Sequence, residues 1–335
     1  MQIKDLGEFA VIELLKGTVT AQRSGPDHGA DFGYRLLVDN GDDAAAWRTG
    51  EATELFTTDT MVEGVHFNRT TTPWTDLGWK SLASNISDIA AMGGLPMYAL
   101  ITLGLPPETE VDHVKELYAG MMQISNTYGV AIVGGDMVRS PVVFITVSLT
   151  GVHPGNPMLR TAARPGESIG VTGYVGSSGA GLRLLLEDTT APSAAAEYLR
   201  ESHRRPHPAA EQGRLLSKIG VETAMDISDG LADDLSKLCR ASGLSARIYA
   251  DRVPVHPLVE QTYPDDWLDL ALNGGEDYQL LFTAQSSLIS EVLPQLPEGS
   301  ALIGEITEGR AGEVVIVGSD GQETAAAPGG WDHYR

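Results

Sequence analysis

Cysteine is almost missing from this chain: Cys239 is the one instance in 335 residues. That excludes an intrachain disulfide framework and a cysteine-rich zinc site. Basic residues are also scarce, 23 Lys and Arg against 45 Asp and Glu, for a formal charge of −22. Duplex nucleic acids and anionic membranes are bound through basic surface, so neither is expected as a partner. No apolar run reaches the ~20 residues that span a bilayer; the best, Met97 to Leu105, reads as a strand. The opening residues Met1-Gln2-Ile3-Lys4-Asp5 lack the basic and apolar regions of a secretory signal, and a cytoplasmic location is expected. There is no G-x-x-x-x-G-K-S/T loop and no protein-kinase H-R-D or D-F-G set, so any phosphoryl transfer must use another architecture.

What is present suits a folded protein of roughly two domains, with 42% hydrophobic and 20% charged residues. Asp5-x-x-Glu8 ahead of Phe9, Val11, Ile12, Leu14 and Leu15 predicts a capped first helix, and Arg23–Ala30 a loop. Strands are expected at Tyr34–Val38 and Thr53–Thr58. A helix from Thr75 to about Met92 is stopped by Gly93-Gly94 and Pro96. Strands at Met97–Leu105, Val130–Val133 and Val142–Gly151 flank a long helix at Glu108–Tyr128. The break Val152-His153-Pro154-Gly155-Asn156-Pro157 divides the chain into domains 1–153 and 154–335. Beyond it, helices are predicted near Ala180–Glu187, Pro208–Ile219 and Leu231–Ser242. Strands are predicted at Ser168–Thr172, Thr223–Ile227, Ala246–Ala250, Tyr278–Thr283, Ala301–Ile306 and Val314–Val317. This alternation indicates α/β or α+β layering.

The informative acids sit in unusual company. Asp42 and Asp43 lie in Gly41-Asp42-Asp43-Ala44, between two strands. Asp59 follows Thr57 and Thr58 at the predicted end of a strand, and Asp136 closes Gly134-Gly135-Asp136 after another. Asp88 lies within a helix in Asn85-Ile86-Ser87-Asp88, three residues from Asn85 and therefore on its face. Asp226 and Asp229 bracket Ile227-Ser228 at a strand end that runs into a helix. A single Asp beside Gly is most often a turn former or a cap. Five such motifs, at the strand ends where α/β proteins bind ligands, suggest instead an oxygen-only site for Mg²⁺ and phosphate. The glycine-rich run from Gly173 to Gly181 can offer backbone N–H groups to a phosphate, or serve only for tight strand–helix packing.

The ordered set of motifs resembles the thiamine-monophosphate kinase family of the aminoimidazole-ribonucleotide-synthetase-like superfamily. It comprises Leu6-Gly7-Glu8-Phe9, Gly41-Asp42-Asp43-Ala44-Ala45, Thr58-Asp59-Thr60-Met61-Val62-Glu63-Gly64-Val65-His66-Phe67, and Asn85 to Gly93. Gly134-Gly135-Asp136, Asp226 to Leu231, Gly274-Gly275-Glu276-Asp277-Tyr278 and Trp331-Asp332-His333-Tyr334 complete it. The resemblance implies a two-domain α/β (α+β) fold of mixed sheets with helices packed on them, and a homodimer formed through the first domains. It also implies ATP-dependent phosphorylation of thiamine monophosphate to thiamine diphosphate, with several Mg²⁺ ions. By motif, Asp43, Thr57, Thr58, Asp59, Asp88, Asp136, Asp226 and Asp229 correspond to metal ligands, Thr57 and Thr58 through backbone or hydroxyl oxygen. Gly135, Asp136, Arg160 and Ser228 correspond to ATP contacts, and His66, Glu276 and Trp331 to substrate contacts.

Arg160, His66 and Trp331 have plainer alternatives: a surface arginine in a linker, a hydrogen-bonded structural histidine, a tryptophan stapling the tail. No general base is assigned, because a phosphate monoester with a second pKa of about 6 is already deprotonated near neutrality. Selenophosphate synthetases place a cysteine or selenocysteine near the N-terminus, which is missing here. Hydrogenase maturation relatives end in cysteine, whereas this chain ends Asp332-His333-Tyr334-Arg335. Purine-pathway synthetases and a non-catalytic nucleotide-binding regulator remain as alternatives, the latter disfavoured because no motif acid is missing.

Overall fold

A computed structural model describes residues 34–38, 42–50, 52–187 and 191–326. The predicted first helix, the Arg23–Ala30 loop and Trp331 lie outside the described residues. The first half contains β1 (Tyr34–Val38), β2 (Ala45–Thr49), β3 (Ala52–Val62), α1 (Trp74–Ala91), β4 (Leu95–Leu105), α2 (Val111–Tyr128), β5 (Ala131–Arg139) and β6 (Phe144–His153). Its strands form one sheet in the order β1-β2-β3-β6-β4-β5, in which only β4 and β5 pair in parallel. The second half contains β7 (Ser168–Val171), α3 (Ser177–Leu186), α4 (Ser193–Arg204), α5 (Ala210–Ile219), β8 (Thr223–Asp226), α6 (Leu231–Ser242) and β9 (Ser245–Tyr249). There follow α7 (Pro257–Thr262), α8 (Trp267–Asn273), β10 (Leu280–Ala284), α9 (Ser286–Val292), β11 (Ala301–Thr307), β12 (Val314–Val317) and β13 (Glu323–Ala325). Its sheet runs β13-β12-β9-β11-β7-β10-β8. This is the expected mixed α/β architecture. Among the described residues, no helix is long and apolar enough to cross a membrane.

Two differences from the sequence reading move functional residues. β3 continues to Val62, so Asp59 lies within a strand and not at its end. The period of two then decides which side chains face inward: Leu55, Thr57 and Met61 are buried, while Phe56, Thr58 and Thr60 are exposed on the opposite face. Likewise β5 runs straight through Gly134-Gly135-Asp136, which therefore does not end a strand. Among the described residues β5 is an edge strand, paired on one side only, and Asp136 is exposed on it.

α1 is the central element. Leu77, Leu82, Ile86, Ile89 and Ala90 are fully buried in a core that also takes in Leu216, Ala224, Leu280 and Phe282 of the second half. The two sheets thus share one hydrophobic cluster across α1. Against α2 the helix makes backbone contact: a Cβ on Gly78 would lie 1.9 Å from the Leu117 carbonyl oxygen, and one on Gly120 would lie 1.8 Å from that of Thr75. Any larger side chain at either position would hold the helices apart.

Candidate active site

α1 turns one stripe of polar side chains away from this core. Lys80, Ser84 and Asp88 are spaced four residues apart and so stack on one face. Around the Asp88 end, carboxylate oxygens of Asp43, Asp88 and Asp226 lie within 4.8 Å of one another. Thr57 Oγ1 donates to Asp88 Oδ2 at 2.5 Å, and Ser87 Oγ donates to Asp226 Oδ2 at 2.8 Å. β3, α1 and β8, from both halves of the chain, therefore meet at one point. Arg160 closes the group with a bidentate pair on Asp43, Nε to Oδ2 at 2.9 Å and Nη2 to Oδ1 at 2.5 Å, while its backbone N–H donates to Asp42 Oδ2 at 3.0 Å.

Three anions this close are unstable by themselves. At an effective dielectric of ~20, each pair of charges 4.8 Å apart costs about 3.5 kcal/mol. Burial pushes the carboxyl of Asp88 well above its usual range, and Asp59, Asp226 and Asp43 push it further. Burial followed by the Asp43 and Asp234 charges does the same to Asp226. Asp59 is raised by burial, opposed by the Ser84 hydroxyl and reinforced by Asp229 and Asp43. Such a group is satisfied by protons or by a hard cation bridging the oxygens directly or through water. The oxygen-only donor set and its spacing fit Mg²⁺.

A second acidic group follows β8. Asp234 Oδ2 accepts the backbone N–H groups of Ser228, Asp229 and Gly230 at 3.0, 2.9 and 3.2 Å, fixing the turn that carries Asp229. Lys237 Nζ sits among the carboxylates, 2.9 Å from both Asp233 and Asp234 and bonded to Asp229.

Both groups border a cleft of about 1320 Å³. Thr58, Asp59, Asp88, Asp226, Ser228 and Asp229 line it together with His66 and Glu276, so eight of the sequence-predicted residues converge. His66 Nδ1 accepts the Val62 backbone N–H at 3.0 Å. Val65, Phe67, Leu182 and Leu186 add apolar wall, which makes the cleft amphipathic. Glu276 and Tyr278 have φ of 65° and 49°, left-handed values that cost roughly 1–3 kcal/mol each outside glycine. Asp277 between them anchors the loop, accepting the N–H groups of Gly176 at 2.5 Å and Ser178 at 3.0 Å at the start of α3. Burial pushes the Asp277 carboxyl up to about 7 against the pull of those donors.

Thr58 borders the cleft, but its hydroxyl is on the outer sheet face, donating to the Val147 carbonyl at 3.0 Å and 3.1 Å from Ser148 Oγ. Other predicted residues lie elsewhere. Gly135 and Asp136 are in β5, opposite Ile101 and Thr102, and belong to neither carboxylate group. Arg160 directs its guanidinium to Asp43, where the sequence reading put a nucleotide. The reading also missed Lys80, Ser87, His203, Asp234 and Lys237. Lys80 carried a legible signal, a lone cation amid apolar and small residues four positions before Ser84 and eight before Asp88.

Residues 41–153 match the family "AIR synthase related protein, N-terminal domain", and residues 164–317 its C-terminal domain. That defines the class, a two-domain fold with its cleft between the halves. Within it, the chain is 37% identical to the thiamine-monophosphate kinase of Bacillus subtilis (strain 168) over 306 residues, 88% of this chain and 93% of the relative. It is 34% identical to that of Aquifex aeolicus (strain VF5) over the full length of both. A solved structure described as AaThiL complexed with AMPPCP and TMP superposes with a TM-score of 0.86 at 34% identity, covering 99% of each chain. The chain belongs to the thiamine-monophosphate kinase family, and it is an enzyme.

Proposed function

We propose that this enzyme transfers the γ-phosphoryl group of ATP directly to the phosphate of thiamine monophosphate, yielding ADP and thiamine diphosphate, with several Mg²⁺ ions. The observation that carries the reading is the convergence of Asp43, Asp88 and Asp226 from three separate elements at one border of an amphipathic cleft. The solved relative described with AMPPCP and TMP supports the choice of both substrates.

Attack of one phosphate on another is opposed by charge, and the bound ions would supply the neutralisation that in-line transfer needs. Asp43, Asp88 and Asp226 would hold them, with Asp59 and Asp229 completing the set. Thr57 and Ser87 fix the rotamers of Asp88 and Asp226, so the oxygens are preorganised. The acceptor arrives deprotonated, so no residue need remove a proton. Ser228, on the turn fixed by Asp234, is assigned to the nucleotide; His66 and Glu276 are assigned to the thiamine side, where Val65, Leu182 and Leu186 offer apolar surface. Arg160 positions Asp43.

The division into 1–153 and 154–335 assigns Asp43, Asp59 and Asp88 to one domain, and Asp226, Asp229 and Glu276 to the other. A homodimer is proposed through the outer face of the first sheet, which exposes Phe56, Tyr98 and Leu100 in one half of the chain. Gly135 and Asp136 on edge strand β5 lie where a second copy would approach. A cytoplasmic location completes the proposal.

The test is ADP release by the purified chain with ATP, Mg²⁺ and thiamine monophosphate, run beside free thiamine, selenide and aminoimidazole precursors. Turnover with thiamine monophosphate is expected. No turnover with it at ample Mg²⁺ would end this reading.

A further inference from the structure

Lys80 is 1% exposed at its side chain, the largest among the fully buried residues, and it crosses between the two halves. Its Nζ donates to Glu276 Oε2 at 2.7 Å and to His203 Nε2 at 3.2 Å. An ammonium has no acceptor to offer, so His203 Nε2 must be the unprotonated nitrogen and the ring proton sits on Nδ1. Nδ1 lies 3.2 Å from Ser178 Oγ and 3.5 Å from Glu276 Oε2. Ser178 is in turn held by its backbone N–H on Asp277. Lys80 Nζ thus donates to Glu276 Oε2 and His203 together, and the His203 Nδ1 side lies beside the same Glu276 oxygen.

The backbone agrees. Glu276 is in the left-handed region, with its N–H on the Ser228 carbonyl at 2.8 Å, so its side chain direction is set by a conformation few residues adopt. The carboxylate is 26% exposed and borders the cleft. Lys80 and Asp88 are eight residues apart on one helix face, a separation of about 12 Å along the axis. One rigid helix thus presents the metal-type carboxylates at one station and the Lys80–Glu276 pair at another.

We propose that Lys80 is a positioning residue for the thiamine end of the substrate. It fixes Glu276 Oε2 and leaves the rest of that carboxylate to face the cationic thiazolium ring. The inference rests on the assignment of Glu276 to the substrate. Lys80 does not touch substrate; it acts through Glu276.

The experiment is a double-mutant cycle on the full-length enzyme, with KM for thiamine monophosphate and for ATP measured separately and thermal melts checking the fold. Glu276→Gln is expected to raise KM for thiamine monophosphate about tenfold, and Lys80→Met about fivefold, each with KM for ATP within about twofold of wild type. Lys80→Met placed on Glu276→Gln should add less than about twofold, because the residue it acts through is already altered. Full additivity, an unchanged KM in Lys80→Met, or equal changes for both substrates would overturn the inference while leaving Glu276 in the site. A silent Glu276→Gln would instead remove Glu276 from the substrate site, and this inference with it. Should Lys80→Met not fold, Lys80→Gln, which keeps a donor without the charge, runs the same cycle with the same criteria.

Discussion

The two acidic groups of this molecule share a composition and differ in what neutralises them. In the Asp229, Asp233, Asp234 group, the Lys237 ammonium sits among the carboxylates and serves as a resident cation. In the Asp43, Asp88, Asp226 group, Arg160 is bonded to Asp43, while Asp88 and Asp226 accept the hydroxyls of Thr57 and Ser87. Lys237 neutralises the first group within the fold, with Asp229 at the cleft wall shared by the proposed metal set, while the second is left to protons or a cation from solution. Adjacent acids in a sequence do not distinguish these cases; the nearest cation does.

Substitution should separate them most sharply in turnover. Asp88→Asn is expected to lower kcat by 10²-fold or more, since the proposed transfer uses it as a charged metal ligand. Its melting temperature should stay level or rise, because repulsion with Asp59, Asp226 and Asp43 is relieved. Near-wild-type turnover, or a collapsed fold, would erase the distinction. Lys237→Met should show the opposite pattern, a loss of about 3 kcal/mol in denaturant unfolding from stranding three carboxylates around a buried position. An unchanged stability there would show that Lys237 is not the resident cation.

The Lys80 neighbourhood extends the contrast to pH. Burial first, then the charges of Lys80 and Arg204, pull the His203 imidazole down to about 2, below the ordinary value of 6.5. Between those values the unfolded chain binds a proton that the folded one refuses. The folded state therefore loses stability as pH falls below 6.5, by about 2 kcal/mol on reaching pH 5. Urea melts at pH 7 and pH 5 should show a difference that shrinks in His203→Gln; an equal difference in both proteins would refute the attribution. The smallest effect is thermal. At Mg²⁺ ten times its Kd, the wild type should gain about 1.4 kcal/mol of stability, lost again on chelation. Lys237→Met should keep that gain and Asp88→Asn should lose it.

Much of this was legible in the residues. The motifs around Asp43, Asp59, Asp88 and Asp226 were readable because each sets an acid among small or apolar neighbours, and these do converge. The α6 and β12 spans were predicted residue for residue, since their caps and apolar runs are local. Asp136 was misread because two glycines before an acid look like a strand end, yet pairing with β4 carries the strand through them. The strand carrying Thr58 runs four residues past its predicted end, and alternation puts the hydroxyl on the outer face, which leaves the backbone oxygen as the group it could lend a metal. The helix Ser193–Arg204 was missed altogether, its burial confined to Ala195, Leu199 and His203 on one narrow stripe. Lys80, His203 and Lys237 were missed because their partners are up to 196 residues away or become visible only on a formed helix.

The contact of Gly78 with Leu117 and of Gly120 with Thr75 means that α1 rests on α2 without side chains between them. A seat of that kind has no slack, and it fixes the whole helix as one body. Widening it by a single methyl would require roughly 1 Å of travel, and every group α1 carries would move by the same vector. A 1 Å misplacement can cost on the order of 10²-fold in rate. Two glycines that belong neither to the cleft wall nor to the carboxylate groups thus set the common zero from which both the Asp88 station and the Lys80 station are measured.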